Sequence, residues 1–285
     1  MFQEPLRLLC AHAHPDDEAS KGAATMAMYV RHGFEVTVLT MTGGERGDVL
    51  NPKLDNEETR ANLAEIRRTE MDRAREILGV RQVWLGYEDS GFTLEEPWED
   101  MPEGSLAATD LRESAAKMAD LLVELRPHVL ITYDENGGYP HPDHIMCHKV
   151  SIKALAYAAD KERYGERSWE VPKVYYHMSF HREKYLALGQ AMRLAGLESP
   201  YIERLQGWVY DAADHRITTK VTCSDFFEVR DDALRAHATQ VDPDGWWFVV
   251  PLEIQKETWP TEDYELARST IPVKLPETDL FAGLR

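Results

Sequence analysis

The chain has 285 residues and carries 32 Lys and Arg against 50 Asp and Glu, a formal charge of −18 with histidine neutral. A nucleic-acid binder needs a basic stripe, and a peripheral membrane binder needs a Lys/Arg-rich amphipathic face; no segment supplies either. The 43% hydrophobic content is that of an ordinary globular chain, and no apolar run approaches the ~18 residues of a membrane span. Met1 to Leu9 lacks the cationic and apolar parts of a signal peptide. Cys10, Cys147 and Cys223 are odd in number and far apart, so reduced thiols and a cytoplasmic location are expected.

In chain order, Leu6 to His12 is a short apolar run without alternation, the pattern of a strand buried on both faces. Lys21 to His32 has helical spacing and ends at Gly33, and Phe34 to Met41 reads as a second strand. Such a strand, helix, strand unit with short joints favours a parallel sheet with a right-handed crossover. Glu57 to Leu78 is predicted as one long charged helix with Leu63, Ile66, Ala74, Ile77 and Leu78 towards a core, followed by a strand over Val80 to Leu85. A helix over Leu106 to Leu125, a strand over Val129 to Tyr133, a helix over His144 to Ala159 and a strand over Val174 to His177 continue the rhythm.

Beyond Phe180 the rhythm loosens, with a strand over Ile217 to Cys223 and a helix over Asp225 to Thr239. Pro251, Pro260, Pro272 and Pro276 mark an expected extended tail. The expected architecture is α/β: a Rossmann-like, mostly parallel sheet with helices on both faces, plus a smaller mixed α/β part packed on it. Residues 1–180 would form the metal-binding catalytic domain, and residues 181–285 would complete the substrate pocket.

Two segments carry chemistry. Directly after the first strand come His12, His14, Pro15, Asp16, Asp17 and Glu18; after the strand near 130 come Tyr139, Pro140, His141, Pro142, Asp143 and His144. Ligands of open α/β sheets bind at the carboxyl ends of strands, so adjacent first and fourth strands would bring both clusters into one crevice. A divalent metal with an open position takes about three protein ligands, often two imidazoles and a carboxylate; His14, Asp17 and His144 can supply them. His148, one helical turn after His144, is the rival ligand by spacing. Cys147 reads more simply as a small buried thiol, and His12 as a buried, hydrogen-bonded histidine.

With HPDDE and HPDH intact, the sequence resembles the LmbE-like superfamily of zinc-dependent N-acetylglucosamine deacetylases. Its longer strings, His12 to Thr25, Thr42 to Gly47, Tyr133 to His144, Arg230 to Gln240 and Pro276 to Gly283, look most like the branch of mycothiol S-conjugate amidases. Ala19 departs from the serine expected in many members of that branch. The resemblance implies His14, Asp17 and His144 as ligands of Zn2+, with Fe2+ as the other acceptable ion. It implies Asp16 as general base, and His141 and Tyr139 as groups acting on the transition state. In the scheme that follows, a cationic His141 oriented by Asp143 protonates the departing amine.

Lys21, Glu45, Asp48, Arg67 and Asp89 are candidate substrate contacts by position; the resemblance singles out Asp48, Arg67 and Asp89, and marks Lys21 as typical of the amidase branch. Arg67 and Arg68 read equally as solvated ion-pair partners of Glu65 and Glu70. His237 is a candidate for the site's mouth, with a buried core histidine as the other reading.

The implied activity is hydrolysis of the amide joining glucosamine to N-acetylcysteine in mycothiol S-conjugates, a detoxification step with a small-molecule substrate. Deacetylation of N-acetylglucosaminyl-inositol is the alternative. A non-haem iron oxygenase also uses two His and one carboxylate, usually on a β-barrel.

Overall fold

Strand β1 (Arg7–His12) sends Leu8 and Cys10 into one hydrophobic cluster and Leu9 and Ala11 into another. Successive side chains of a strand leave opposite faces, so an apolar residue at every position requires cover on both. The computed structural model describes residues 4–93, 101–201, 205 and 216–285. Strands β2 (Glu35–Thr42), β3 (Arg81–Tyr87), β4 (Val129–Thr132) and β5 (Lys173–His177) continue a parallel sheet with β1. Beyond them, β6 (Thr219–Thr222) and β7 (Thr261–Ser269) pair antiparallel with each other, and β7 pairs antiparallel with β5. The sheet order is β3-β2-β1-β4-β5-β7-β6. Chain direction across the sheet reverses between β1 and β4, which opens a crevice at their carboxyl ends.

The main helices are α1 (Ala23–Arg31), α2 (Leu63–Leu78), α3 (Leu111–Leu125), α4 (Pro142–Ala158), α5 (Arg182–Leu194), α6 (Phe227–Ala236) and α7 (Leu252–Thr258). Helices α1, α2 and α6 seal one face of the sheet through Met26, Met71, Ala74 and Leu234; α3 and α4 seal the other through Met118, Leu122 and Val150. The Rossmann-like, mostly parallel architecture is as expected, with helices on both faces. No described helix is long and apolar enough to cross a membrane.

Three local expectations change. The predicted helix over Glu57 to Leu78 breaks at Asn62 into Glu57–Ala61 and α2, and α2 buries Arg67 and Glu70 beside Leu63, Met71 and Ala74 while Ile66 and Ile77 are only half-buried. Helix α4 begins at Pro142 rather than His144, because proline suits the first helical position and the His141 ring accepts from the Asp143 amide as its cap. The proline-marked tail is not extended throughout. Pro251 precedes α7, Pro260 separates α7 from β7, and β7 lies between β5 and β6; here prolines punctuate elements, and the irregular burial along β7 hides a strand period.

Helix α1 starts after Gly22, which has no side chain to cap it. The free amides of its first turn are met from the far end of the chain: the Glu262 carboxylate of β7 accepts from Ala24 N at 3.2 Å and Thr25 N at 2.8 Å. The last segment is tied down similarly, with Lys173 Nζ donating to Glu277 at 2.7 Å and Tyr29 Oη donating to Asp279 at 2.8 Å.

Candidate active site

After β1 the chain turns through Asp16 into one helical turn, Asp17–Ser20. Asp16 has φ 103°, a left-handed backbone that costs a residue other than glycine ~1–3 kcal/mol and persists only where surroundings enforce it. Buried Arg67 of α2 enforces it. Its guanidinium donates to Pro15 O at 2.6 Å, to Gly44 O at 2.7 Å and to Asp16 Oδ2 at 3.1 Å. A Cβ on Gly44 would stand 2.3 Å from Arg67 Nη1, so only glycine leaves room for the guanidinium. On the other side, Asp16 N donates to Glu18 at 3.0 Å, and Glu18 in turn meets His237 Nε2 at 2.6 Å, both fully buried.

Asp17 is held from three directions. Tyr133 Oη donates to its Oδ2 at 2.6 Å, His14 N donates to the same oxygen at 3.0 Å, and Lys21 Nζ donates to Oδ1. Burial would raise the Asp17 pKa, but the Lys21 ammonium, then His144 and His14, hold it well below the carboxylate range, so it is ionised.

The loop after β4 is organised locally. Asp134 Oδ1 accepts from Gly138 N at 2.8 Å, and Gly137 O meets His144 Nδ1 at 2.9 Å. That contact fixes the imidazole so that Nε2 faces Asp17 Oδ2, 3.4 Å away. A Cβ on Gly137, whose φ is 73°, would fall 2.6 Å from His144 Cβ. His144 Nε2 is buried with no hydrogen-bond partner, and burial lowers its pKa despite Asp17.

One donor atom from each of His14, Asp17 and His144 lies within 4.8 Å of the others, and a second such group joins His14 to Asp89 and His141. A buried, unpartnered imidazole nitrogen aimed at an ionised carboxylate, with a second imidazole alongside, fits the mixed N/O donor set of a divalent cation. Burial would lower the His14 pKa, but its contacts with Asp143, Asp17 and Asp89 raise it well above the usual imidazole range.

Asp16 keeps 26% of its side-chain surface accessible. Its pKa is raised by burial, against Arg67, with the Asp17 charge adding to the rise. Tyr139 is 37% exposed at the mouth, its ring 4.5 Å from that of His144. Burial, then Asp17 and Asp16, push its phenol pKa up, so it is a donor at neutral pH. The His141 ring lies 4.6 Å from that of His14 and 5.1 Å from that of His144.

Several roles read from the sequence change here. The Asp143 carboxylate does not orient His141. It accepts from Ser90 N at 2.8 Å and from Ser90 Oγ, and meets His14 Nε2 at 3.2 Å. Burial, then His14 and His144, depress the His141 pKa. Arg67 is buried against Asp16 rather than solvated, and His237 is buried against Glu18 rather than at the mouth. His148 turns away from the cluster to Tyr133 O at 3.0 Å, and His12 is buried with neither ring nitrogen hydrogen-bonded. Cys147 is a buried thiol beside Thr132.

Among the proposed substrate contacts, Asp89 is buried, accepts from Arg46 N and Gly91 N, and stands 3.5 Å from His14 Nε2. Glu45 accepts from Asp89 N at 3.1 Å, and Asp48 is exposed, its carbonyl accepting from Gln240. Tyr133, Ser90 and Glu18 are the supports that motif reading missed. A tyrosine ending a fully buried strand needs a partner for its hydroxyl, which was the one available signal.

A model of the PIG-L family, described as GlcNAc-PI de-N-acetylase, matches residues 9–155. Similar relatives include the mycothiol S-conjugate amidase of Streptomyces coelicolor, 54% identical over 99% of this chain and 98% of that protein. A 1D-myo-inositol 2-acetamido-2-deoxy-alpha-D-glucopyranoside deacetylase of Catenulispora acidiphila is 39% identical over 98% of this chain and 89% of its own. Among solved structures, the N,N'-diacetylchitobiose deacetylase of Pyrococcus horikoshii shares the fold, with a TM-score of 0.60 at 20% identity over 93% of this chain and 85% of that one. With both motif segments inside the matched range and relatives aligned end to end, the chain belongs to the PIG-L, LmbE-like family.

Proposed function

We propose that this protein is a metal-dependent amidase of the cytoplasm that hydrolyses the amide between glucosamine and N-acetylcysteine in mycothiol S-conjugates, releasing a mercapturic acid and glucosaminyl-inositol. The observation that carries the reading is 54% identity along essentially the whole chain with the Streptomyces coelicolor amidase, against 39% with the deacetylase. The deacetylase, which acts on the acetylated precursor sugar, supplies the second reading because it too aligns over nearly the full length. An oxygenase is disfavoured by the parallel α/β sheet.

His14, Asp17 and His144 would hold the cation, Zn2+ or Fe2+, which when bound lowers the pKa of water and polarises the amide carbonyl. Asp16 takes the proton from the attacking water; a carboxylate whose pKa is raised by burial is better matched to that task than an ordinary one. Tyr139 donates to the oxyanion as the carbonyl carbon becomes tetrahedral, a contact worth ~2.7–4 kcal/mol in comparable sites. His141 hands a proton to the departing amine. That proton is the one Asp16 has taken from the water, so the amine leaves protonated and the site returns to its starting charge. Asp143 positions His14. Lys21, Asp48 and Asp89 stay candidates for substrate contact, whereas Arg67 and His237 act through Asp16 and Glu18.

The test is anaerobic purification with metal analysis, followed by amine release from a mycothiol S-conjugate and from N-acetylglucosaminyl-inositol side by side. Metal-dependent release with the higher kcat/KM on the conjugate is expected. Release without metal, or preference for the acetylated sugar, would overturn the proposal.

A further inference from the structure

The crevice continues past β5. The Ser179–Phe180 segment leaves the carboxyl end of β5, and β7, being antiparallel, begins at that same edge. There Phe180, Tyr185, Tyr201, Trp246 and Trp247 form the aromatic part of the wall of a cavity of about 70 Å³, and Ser20, Ser179, Lys184, Arg230, Gln255, Glu262 and Asp263 also line it. Trp246 and Trp247 stack at 4.2 Å between ring centroids, Phe180 meets Trp247 at 6.0 Å, and Tyr185 meets Tyr201 at 4.9 Å. Phe180, Trp246 and Trp247 keep part of their surfaces exposed.

Resting on the amidase reading above, we infer that this aromatic pocket receives the group carried on the substrate's sulfur and selects thioethers bearing apolar or aryl groups. Lys21 joins the two sites: its ammonium donates to Asp17 and lies 5.5 Å from the centre of the Phe180 ring. In the conjugate, the sulfur stands three bonds from the amide carbonyl carbon, a reach of ~4 Å at standard bond lengths. A carbonyl held beside Asp17 can therefore extend its thioether past Lys21 towards the aromatic wall. The sugar half is the poorer occupant, because hydroxyl groups need polar partners. The polar side chains of the wall are engaged by the protein itself: Glu262 accepts the α1 amides, Asp263 accepts from Trp259 Nε1 and Thr261 Oγ1 and meets His181 Nε2, the Lys184 ammonium lies in the field of Asp263, and Arg230 donates to Asp231 and Gln255, whose own amide donates to Val250 O. The cavity is about half the ~150 Å³ that encloses a benzene ring, so a ring seats partly inside it and larger groups extend towards solvent.

The experiment compares kcat/KM for the S-benzyl and S-methyl conjugates of mycothiol in the native protein, in Trp247→Leu and in Ser179→Phe. The native benzyl-to-methyl ratio is expected to be ~10 or more, the discrimination an apolar pocket gives for a few carbons, and to approach one when the wall is cut back or the cavity filled. A native ratio near one, or a ratio unchanged in both variants, overturns the inference and leaves the amidase reading standing. Failure to hydrolyse either conjugate overturns the amidase reading itself. Thermal melting identifies a variant that has not folded, in which case the native ratio and the other variant decide.

Discussion

The two loops that meet in the crevice are held in place in different ways. The one after β4 is built from its own neighbourhood: Asp134 folds the turn, Gly137 O aims His144, and Pro142 with the His141 cap starts α4. The one after β1 contains a left-handed Asp16 and is gripped from outside by Arg67 of α2, Tyr133 at the end of β4 and His237 just after α6. A locally coded loop can supply a ligand at a set position; a strained carboxylate needs a ring of distant partners to keep it there.

Substitutions that separate these two kinds of support follow, in decreasing order of expected effect on turnover. His144→Ala removes a ligand from the local loop and is expected to abolish both stoichiometric metal in elemental analysis and turnover; retained metal would show that another residue completes the site. Asp16→Asn keeps a side chain that tolerates the left-handed backbone and removes the base. Metal content is expected to hold while kcat falls ~10²–10⁴-fold. In the native protein, kcat/KM should rise with pH as Asp16 loses its proton, over a range above that of an ordinary aspartate, and this limb should vanish in the variant.

Tyr133→Phe and Gly137→Ala perturb one ligand on each side, Asp17 and His144. Each is expected to weaken metal affinity ~10–100-fold in competition with a chelator, as loss of a ligand's support does elsewhere. Equal losses would mean that the local loop is as dependent on geometry as the gripped one.

His237→Gln should change turnover least and stability most plainly, because it leaves Glu18 buried without its charge partner, at a cost of ~3–5 kcal/mol. Burial lowers the His237 pKa, but Glu18 outweighs it and the net shift is upward. Stabilisation from that shift is therefore present below the ordinary imidazole pKa and fades as pH rises through the raised one. Glu18 is shifted down overall, since His237 outweighs the effect of burial; its share is present above the ordinary glutamate pKa and fades as pH falls through the lowered one. The difference in Tm between native and variant protein should peak between those limits, in mildly acidic solution.

What could be read from the sequence divides along the same line. The parallel sheet was legible because unbroken apolar runs at Leu8 to Ala11 and Val129 to Ile131 alternate with amphipathic helices. HPDDE and HPDH were legible because chemistry-bearing side chains stand at strand ends. The grip on Asp16 was not: Arg67 lies 51 positions away, on a helix whose charges look solvated until α2 is docked. Asp143 was assigned to its sequence neighbour His141, yet its carboxylate crosses to His14 and Ser90. β7 escaped because burial does not alternate along Thr261–Ser269, so no period of two marks it as a strand.

The cap on α1 also sets an order in time. Ala24 and Thr25 receive their acceptor from Glu262, 238 positions later for Ala24. At a synthesis rate of ~5–20 residues per second, the helix behind the HPDDE loop waits roughly 12–50 s on the ribosome before its first turn is satisfied. The first turn of a helix made early is therefore completed only by a residue made late.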